Sequence, residues 1–292
     1  MSRAARRFGL ALAMPSIALV LLLILVPAAL TIDQSLRDVP ADGSGWGEFV
    51  GLANYQRVLA SPVLWRSLLL TLAFAGIFIV LSTVIGLGTA LLLNESFPGR
   101  WFVRSLVVIP WACPWMIVGI IWKWFLDGSI GELNGVLLRT HLISGYSDFL
   151  ASPKWALVAT VLAATWRQSS MVALLFLAGL QTLPPDLHAT AAVDGAGVFT
   201  RFRHITIPWL RPVLAVVTVL NIIYGLMQFD LVFTMTQGGP GDATTLMSIL
   251  IYRQMFLYTN LGVGSAIATV LALVALGGGL AAVKLLYRTV EV

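Results

Sequence analysis

The sequence predicts an all-α integral membrane protein with six transmembrane helices. Of its 292 residues 59% are hydrophobic and only 11% charged, and the mean hydropathy is +0.91. A soluble domain carries roughly 25% charged residues, so this chain lacks a polar coat and needs a bilayer as its solvent. The apolar residues gather into runs at 8–32, 67–93, 103–125, 155–180, 213–236 and 261–283. Each is near or above the roughly 20 residues that cross ~30 Å of hydrocarbon as a helix. None alternates at period 2 as a membrane barrel would, and helix then remains the way to satisfy a backbone inside lipid.

Arg3, Arg6 and Arg7 precede the first run. A cleavable signal has an apolar region of roughly 7–15 residues; this one is longer, so it is read as a retained first span. The second run carries Gly76, Ser82, Gly86 and Gly88, small residues that let helices approach closely in lipid. In the third, Pro110 and Pro114 predict a kink. Its Trp111, Trp115, Trp122 and Trp124 suit interface anchoring or packing, with stacking on a sugar the other reading. Lys123 and Asp127 share a face at its outer end as a solvated pair.

The fourth run holds Trp166-Arg167-Gln168-Ser169-Ser170 near its middle. An arginine at that depth costs on the order of 3 kcal/mol. It must find water or an acid, and Asp230 is nearest by depth, which predicts an Arg167–Asp230 pair. The fifth run places Asn221, Tyr224 and Gln228 at i, i+3 and i+7 on one face. Planar polar groups beside an aromatic ring suit a sugar pathway; hydrogen bonding to a neighbouring helix is the equal alternative for Asn221 and Gln228. Asp230 either caps a helix break or pairs a cation.

Six spans put both termini on one face. That face holds Arg3, Arg6, Arg7, Arg100, Arg201, Arg203, Arg211, Lys284 and Arg288. The opposite loops hold Asp33, Asp38, Asp42, Glu48, Asp127, Glu132, Asp148 and Asp242. Basic residues mark the cytoplasmic side, so both termini are expected there, in a multi-pass protein of the plasma membrane. The same asymmetry explains the net charge of +5 without nucleic acid as a partner. The single cysteine, Cys113, excludes an internal disulfide framework and a cysteine-rich metal site.

The most hydrophilic long stretch, 188–212, then lies in the cytoplasm between spans four and five. Pro184-Pro185-Asp186 starts a helix expected over Leu187–Val193. Asp194-Gly195-Ala196-Gly197 reads as a turn, with Asp194 able to cap a second short helix over Val198–Ile207. Phe199, Phe202 and Ile205 fall on one face of that helix, Arg201 and His204 on another, and Pro208 and Pro212 are expected to end it.

This segment resembles the EAA loop of ABC-importer permeases, whose pattern is Glu-Ala-Ala, two residues, Asp-Gly-Ala and a later Pro. Asp194-Gly195-Ala196, Ile207-Pro208 and Leu210-Arg211-Pro212 fit; Ala189 stands in place of the signature glutamate and Thr190 in place of the first alanine. Gly51-Leu52-Ala53-Asn54-Tyr55 is similar to the Gly-Leu-x-Asn-Tyr of sugar-type permeases. So are Ile109-Pro110-Trp111 with Trp122-Lys123-Trp124, Gly131 and Asn134. Phe229-Asp230 with Thr236-Gln237-Gly238-Gly239-Pro240, and the segment Gly262 to Ile267, also fit. Together and in order, these place the resemblance in the carbohydrate-uptake group, on the side of the larger maltose or glycerol-phosphate permease subunit.

The resemblance implies a type I ABC importer permease with a cytoplasmic coupling helix between spans four and five. One transmembrane domain over 1–292 follows, with the first span and outer loop in 1–66 and a five-span core in 67–292. Ala189, Asp194, Gly195, Ala196, Phe199, Arg201 and Phe202 would carry coupling to an ATPase. Asn221, Tyr224, Gln228, Asp230 and Arg167 would line the substrate pathway. Gly238, Gly239 and Pro240, with segment 33–66, would dock an external solute-binding protein. Implied partners are a second, homologous permease subunit, two cytoplasmic ATP-binding subunits, the lipid bilayer and a sugar-like substrate. No G-x-x-x-x-G-K-[ST] occurs in the chain, so no cofactor is expected on it, and ATP and Mg belong to the ATPase subunits.

Other classes fit poorly. His141, His188 and His204 all fall between spans, and neither H-E-x-x-H nor G-x-S-x-G is present, so the chain is not expected to be an enzyme. A self-sufficient secondary transporter of a small polar solute is the alternative; it would carry inverted repeats and a midplane relay, and one Arg with one Asp supplies no evident relay.

Overall fold

The computed structural model describes residues 3–40 and 45–287; Asp42 and Arg288 lie outside the described residues. In chain order the helices are α1 (Arg3–Val20), α2 (Val26–Ser35), α3 (Ala53–Leu59), α4 (Pro62–Asn94), α5 (Arg100–Ala112), α6 (Trp115–Phe125) and α7 (Glu132–Arg139). There follow α8 (Pro153–Gln181), α9 (Pro185–Val193), α10 (Val198–Arg201), α11 (Ile207–Leu226), α12 (Asp230–Thr236), α13 (Met247–Tyr252) and α14 (Leu261–Tyr287). Five stretches are long and apolar enough to cross a membrane: 12–35, 62–94, 153–181, 198–226 and 261–285; α5 and α6, bent by 99° at their junction, make a sixth if they form one span.

The chain forms two compact units, 1–65 with 250–272 and 66–249 with 273–292. In the first unit, α1 and α2 join through a π-turn at Leu21–Leu25, one residue short of Pro27. Another π-turn, Phe202–Thr206, stands before Pro208 in the second unit. A proline removes one N–H and crowds the carbonyl four residues back. The wider π-turn makes room for both, so the helix continues instead of stopping.

Beyond α2, β1 (Arg37–Asp38) pairs antiparallel with β2 (Glu48–Phe49). The buried Asn54 amide donates to the carbonyls of Ser35 (3.0 Å) and Arg37 (2.8 Å), and the Tyr55 hydroxyl meets Ser35 Oγ at 2.6 Å. At Gly262 any Cβ would strike the Arg37 carbonyl and come within 2.9 Å of Asn54 Nδ2. The Gly-Leu-x-Asn-Tyr segment and the start of α14 therefore meet in one staple at the C-terminal end of α2.

In the second unit α8 is the most buried crossing, 61% over its most apolar stretch against 28% for α4. Ala156, Ala159, Ala163, Ala164 and Ala173 make it slim enough to be central. A Cβ on Gly86 of α4 would overlap Val172 of α8, the close approach expected of small residues in lipid. Phe74, Phe78, Val118, Leu231, Leu246 and Ile249 form one core, and Leu93, Phe176, Leu210 and Val217 a second cluster.

Between α5 and α6 the chain bends at Pro114, not Pro110. Pro110 is buried inside α5, whereas Cys113 before Pro114 takes extended dihedrals (φ −75°, ψ 132°), the conformation a following proline imposes. The fifth span is displaced from the expected 213–236. Helix runs from Val198 through Pro208 and Pro212 to Leu226, breaks at 227–229, and restarts as α12. The second loop helix is thus the first turn of the fifth crossing. Asp230 stands in the first turn of α12, where an acid complements the helix dipole.

Candidate functional site

α8 carries Arg167 at residue 15 of its 29. Arg167 Nε donates to the Cys113 carbonyl at 2.8 Å, and its guanidinium lies 4.0 Å from the centre of the Trp115 ring. That carbonyl is available because the bend at Pro114 interrupts the helix. Trp115 in turn packs at 6.1 Å against Tyr224 of α11, and Trp122 at 6.2 Å against Trp166. The bend, α8 and α11 thus gather a half-buried cation and two half-buried aromatic rings. The expected Arg167–Asp230 pair does not form: Asp230 is exposed at the start of α12, and Arg167 is satisfied by a backbone carbonyl and a ring. Trp115, read as an anchor or packing residue, is the ring on which the cation rests.

Asn221 is fully buried. Gln168 Nε2 donates to its Oδ1 (2.9 Å); its Nδ2 donates to Ser82 Oγ (3.0 Å) and Thr83 Oγ1 (3.3 Å); Ser82 Oγ donates to the Phe78 carbonyl (2.6 Å). One directed chain of hydrogen bonds therefore ties α8, α11 and α4. Of the two readings left open for Asn221, the structure places it in helix–helix bonding. Gln228 lies in the break between α11 and α12, so the expected stripe is not one helical face. It is 4% exposed, its carbonyl accepts from Ser248 Oγ (2.6 Å), and its Nε2 is buried without a partner. Gln168 Oε1 and Thr165 Oγ1 are buried without partners too.

The loop begins with α9. Its end is a Schellman turn: Gly195 at φ +82° donates to the Ala192 carbonyl (3.1 Å), and Ala196 to Ala191 (2.8 Å). Asp194 closes α9 and does not cap α10, whose N-cap is Gly197 without a side-chain bond. Arg201 Nη1 reaches the His188 carbonyl at 3.5 Å, and Trp209 Nε1 donates to Thr182 Oγ1 at 3.1 Å, bracing the two arms. Val193 (88%), Val198 (76%) and Phe199 (73%) are largely exposed, as are Ala189 and Asp194. Phe202 is half-buried beside Arg201 and His188 in a cavity of about 1040 Å³.

On the opposite face two turns are knit from within. Thr244 Oγ1 donates to the Gly239 carbonyl (2.7 Å) and meets Thr236 Oγ1 (2.7 Å); Thr245 Oγ1 donates to the Gly238 carbonyl (2.9 Å). The Gly239–Pro240 peptide is cis. Thr244 and Thr245, both buried, carried no signal of their own in the sequence. Between α6 and α7, Asp127 Oδ1 accepts from the Ser129 and Ile130 amides (2.8 and 3.0 Å). Those two bonds, with a smaller contribution from Lys123, hold the Asp127 carboxyl below its ordinary value. Lys123 acts at a distance and makes no direct ion pair with it. Asn134 Nδ2 donates to the Asp127 and Ser147 carbonyls, both at 2.9 Å.

Comparison with known proteins bears on this arrangement. The chain is 40% identical over 268 residues to the trehalose/maltose transport system permease protein MalF of Thermococcus litoralis, covering 90% of this chain and 88% of that one. It is 36% identical to the sulfoquinovosyl glycerol transport system permease protein SmoG of Agrobacterium fabrum, covering 91% and 86%. The fold matches a crystal structure of a bacterial ABC transporter involved in the import of the acidic polysaccharide alginate, with a TM-score of 0.82 over 98% of both chains at 24% identity. The family model described as binding-protein-dependent transport system inner membrane component matches residues 82–288. The chain belongs to that family of ABC-transporter permeases, with the type I permease fold.

Proposed function

We propose that this chain is one half of the membrane core of an ATP-driven importer that moves a sugar or related polyol into the cell. The observation that carries the proposal is the braced hook over 185–206, which holds Val193, Val198 and Phe199 in solvent. Apolar surface held in water on a rigid frame calls for a protein partner, and a cytoplasmic ATPase is the partner that fits. ATP and Mg would sit in two such subunits. Their closure would push α9 and α10, and through the π-turn at 202–206 the push would reach α11 as a rigid-body shift between two packed states.

A second, similar permease would complete the passage, with Arg167, Trp115 and Tyr224 offering donors and aromatic faces to a sugar and Gln228 a free amide. Asn221 would act behind them by fixing α11 to its neighbours, and exposed Asp230 would stand at the outer mouth. A solute-binding protein would dock at the Gly238-Gly239-Pro240 turn. Both termini and the hook would face the cytoplasm, as Arg100, Arg201, Arg203, Arg211 and Lys284 on that face favour. The trehalose/maltose and sulfoquinovosyl glycerol relatives support the sugar class. A family named for its dependence on a binding protein tells against a self-sufficient transporter.

The test is uptake and ATP hydrolysis by the purified heteromeric complex in liposomes, with the binding protein and a panel of glycosides and polyols. One of these solutes should stimulate hydrolysis, and Asp194→Arg should abolish uptake while the subunit still assembles. Solute accumulation by this chain alone without ATP, or wild-type uptake and hydrolysis in Asp194→Arg, would refute the proposal.

A further inference from the structure

A groove of about 340 Å³ between α5 and α8 belongs to none of the sites above. Because the two helices run in opposite directions, its lining is sorted by depth. Arg104, Ser105 and Gln181 stand at the cytoplasmic end, while Val108, Leu177 and Ala178 lie about one helical turn deeper and Leu174 about two. Its mouth is polar and its trough apolar.

The mouth is also cationic. Arg104 Nη2 donates to the Leu93 carbonyl at 3.2 Å, and its Nε is buried without a partner. Arg100, one turn earlier on α5, likewise has a buried Nε without a partner. Among the described residues neither arginine meets a carboxylate; Glu95, in the turn between α4 and α5, is exposed and makes no ion pair with them. Beside them Trp101 is 75% and Phe102 53% exposed, the aromatic rim found where protein meets headgroups. Guanidinium groups with unspent donors match phosphate oxygens in geometry and charge. Basic pockets between membrane helices on the cytoplasmic side are where acidic headgroups are held.

We propose that this groove binds an anionic phospholipid, with its phosphate at Arg104 and Arg100 and an acyl chain along Val108, Leu174 and Leu177. The leaflet, the inner one, rests on the orientation proposed above; the binding itself needs no sugar and no ATP, so it stands or falls apart from the transport reading. Charge selects the occupant: a zwitterionic lipid would leave the two arginines without net counter-charge.

The experiment is native mass spectrometry of the assembled transporter, titrated with phosphatidylglycerol or phosphatidylcholine. Wild-type complex should retain phosphatidylglycerol at least tenfold better than phosphatidylcholine. Arg104→Gln, which keeps a donor for the Leu93 carbonyl, should bring the two within twofold, and Arg104→Lys should keep most of the preference. Ala178→Trp, which fills the trough, should lower retention of both lipids. Equal retention in wild type and Arg104→Gln would overturn the proposal. So would displacement of the lipid by millimolar inorganic phosphate, which marks a free-anion site. A cross-linker at Ala178→Cys that captures another subunit instead of lipid would overturn it as well.

Discussion

Asn221→Ala separates two roles that one residue could play, because a pathway contact and a structural knot fail in different ways. The wild-type amide accepts from Gln168 at 2.9 Å and donates to Ser82 at 3.0 Å, with a longer bond to Thr83 at 3.3 Å. Interhelical hydrogen bonds in membranes average about 0.6 kcal/mol and reach about 1.7 kcal/mol. Two good bonds are therefore worth roughly 1–3 kcal/mol. Their loss leaves the Gln168 amide with little to bond, since its Oε1 already lacks a partner. Asn221→Ala should lower the unfolding free energy of the complex by about 2 kcal/mol. A double-mutant cycle with Gln168→Ala should give a coupling of about 1 kcal/mol. Denaturation of the complex in mixed micelles measures both, and uptake kinetics run on the same variants. The reasoning fails if coupling stays below roughly 0.3 kcal/mol, the level of independent sites, while the half-saturating solute concentration rises tenfold.

Three further outcomes are expected. Gly195→Val forces a β-branched residue into φ +82°, a strain on the order of 1–3 kcal/mol, and opens the Schellman turn; stimulated ATP hydrolysis should fall below half of wild type, and unchanged stimulation would mean that the turn does not transmit. Asn54→Ala strands the Ser35 and Arg37 carbonyls at about 2–3 kcal/mol; proteolysis of the 36–50 segment in intact complex should accelerate, with no change at the 185–206 hook. Asp127 has a depressed pKa, so its capping of Ser129 and Ile130 is fully present above the ordinary carboxylate value of about 3.9 and is lost as pH falls through the lower folded value. Amide exchange at 129–130, corrected for intrinsic rates, should stay protected at pH 5 and lose protection only below about pH 4, and Asp127→Ala should lose it at every pH.

What could be read in the sequence was whatever depends on neighbours along the chain. Apolar length located the crossings other than the fifth, which starts at Val198 instead of 213, Pro114 announced the bend, and Asp194-Gly195-Ala196 announced a turn that only a glycine at positive φ closes easily. What could not be read depends on distant partners or on geometry without a letter of its own. Met227-Gln228-Phe229 contains neither Gly nor Pro, yet helix stops there, because the Gln228 carbonyl finds Ser248. Pro208 looked like a stop and is absorbed by a π-turn. Asn221 meets groups 53 and 139 residues away, separations at which spacing carries no signal. Asn54, Asn134 and Gly262 drew attention as marks of kinship; in space Asn54 and Asn134 staple loop backbone to itself, and Gly262 leaves room for the first of these staples.

The position of Arg167 depends on the bend at Pro114. An arginine near mid-membrane costs on the order of 3 kcal/mol by insertion scales. A hydrogen bond from a charged group contributes about 1.5–3 kcal/mol, and a cation–π contact about 0.5–2 kcal/mol. Arg167 has one of each, so the cost is met without any carboxylate, and Asp230 is free to stand exposed at the start of α12. Both contacts exist only because the chain turns by 99° at Pro114. The turn frees the Cys113 carbonyl and swings Trp115 under the guanidinium. A straight segment would leave the cation to seek an acid, and an ion pair would occupy its Nη donors. The bend thus keeps a charge inside the membrane while leaving its Nη groups unspent.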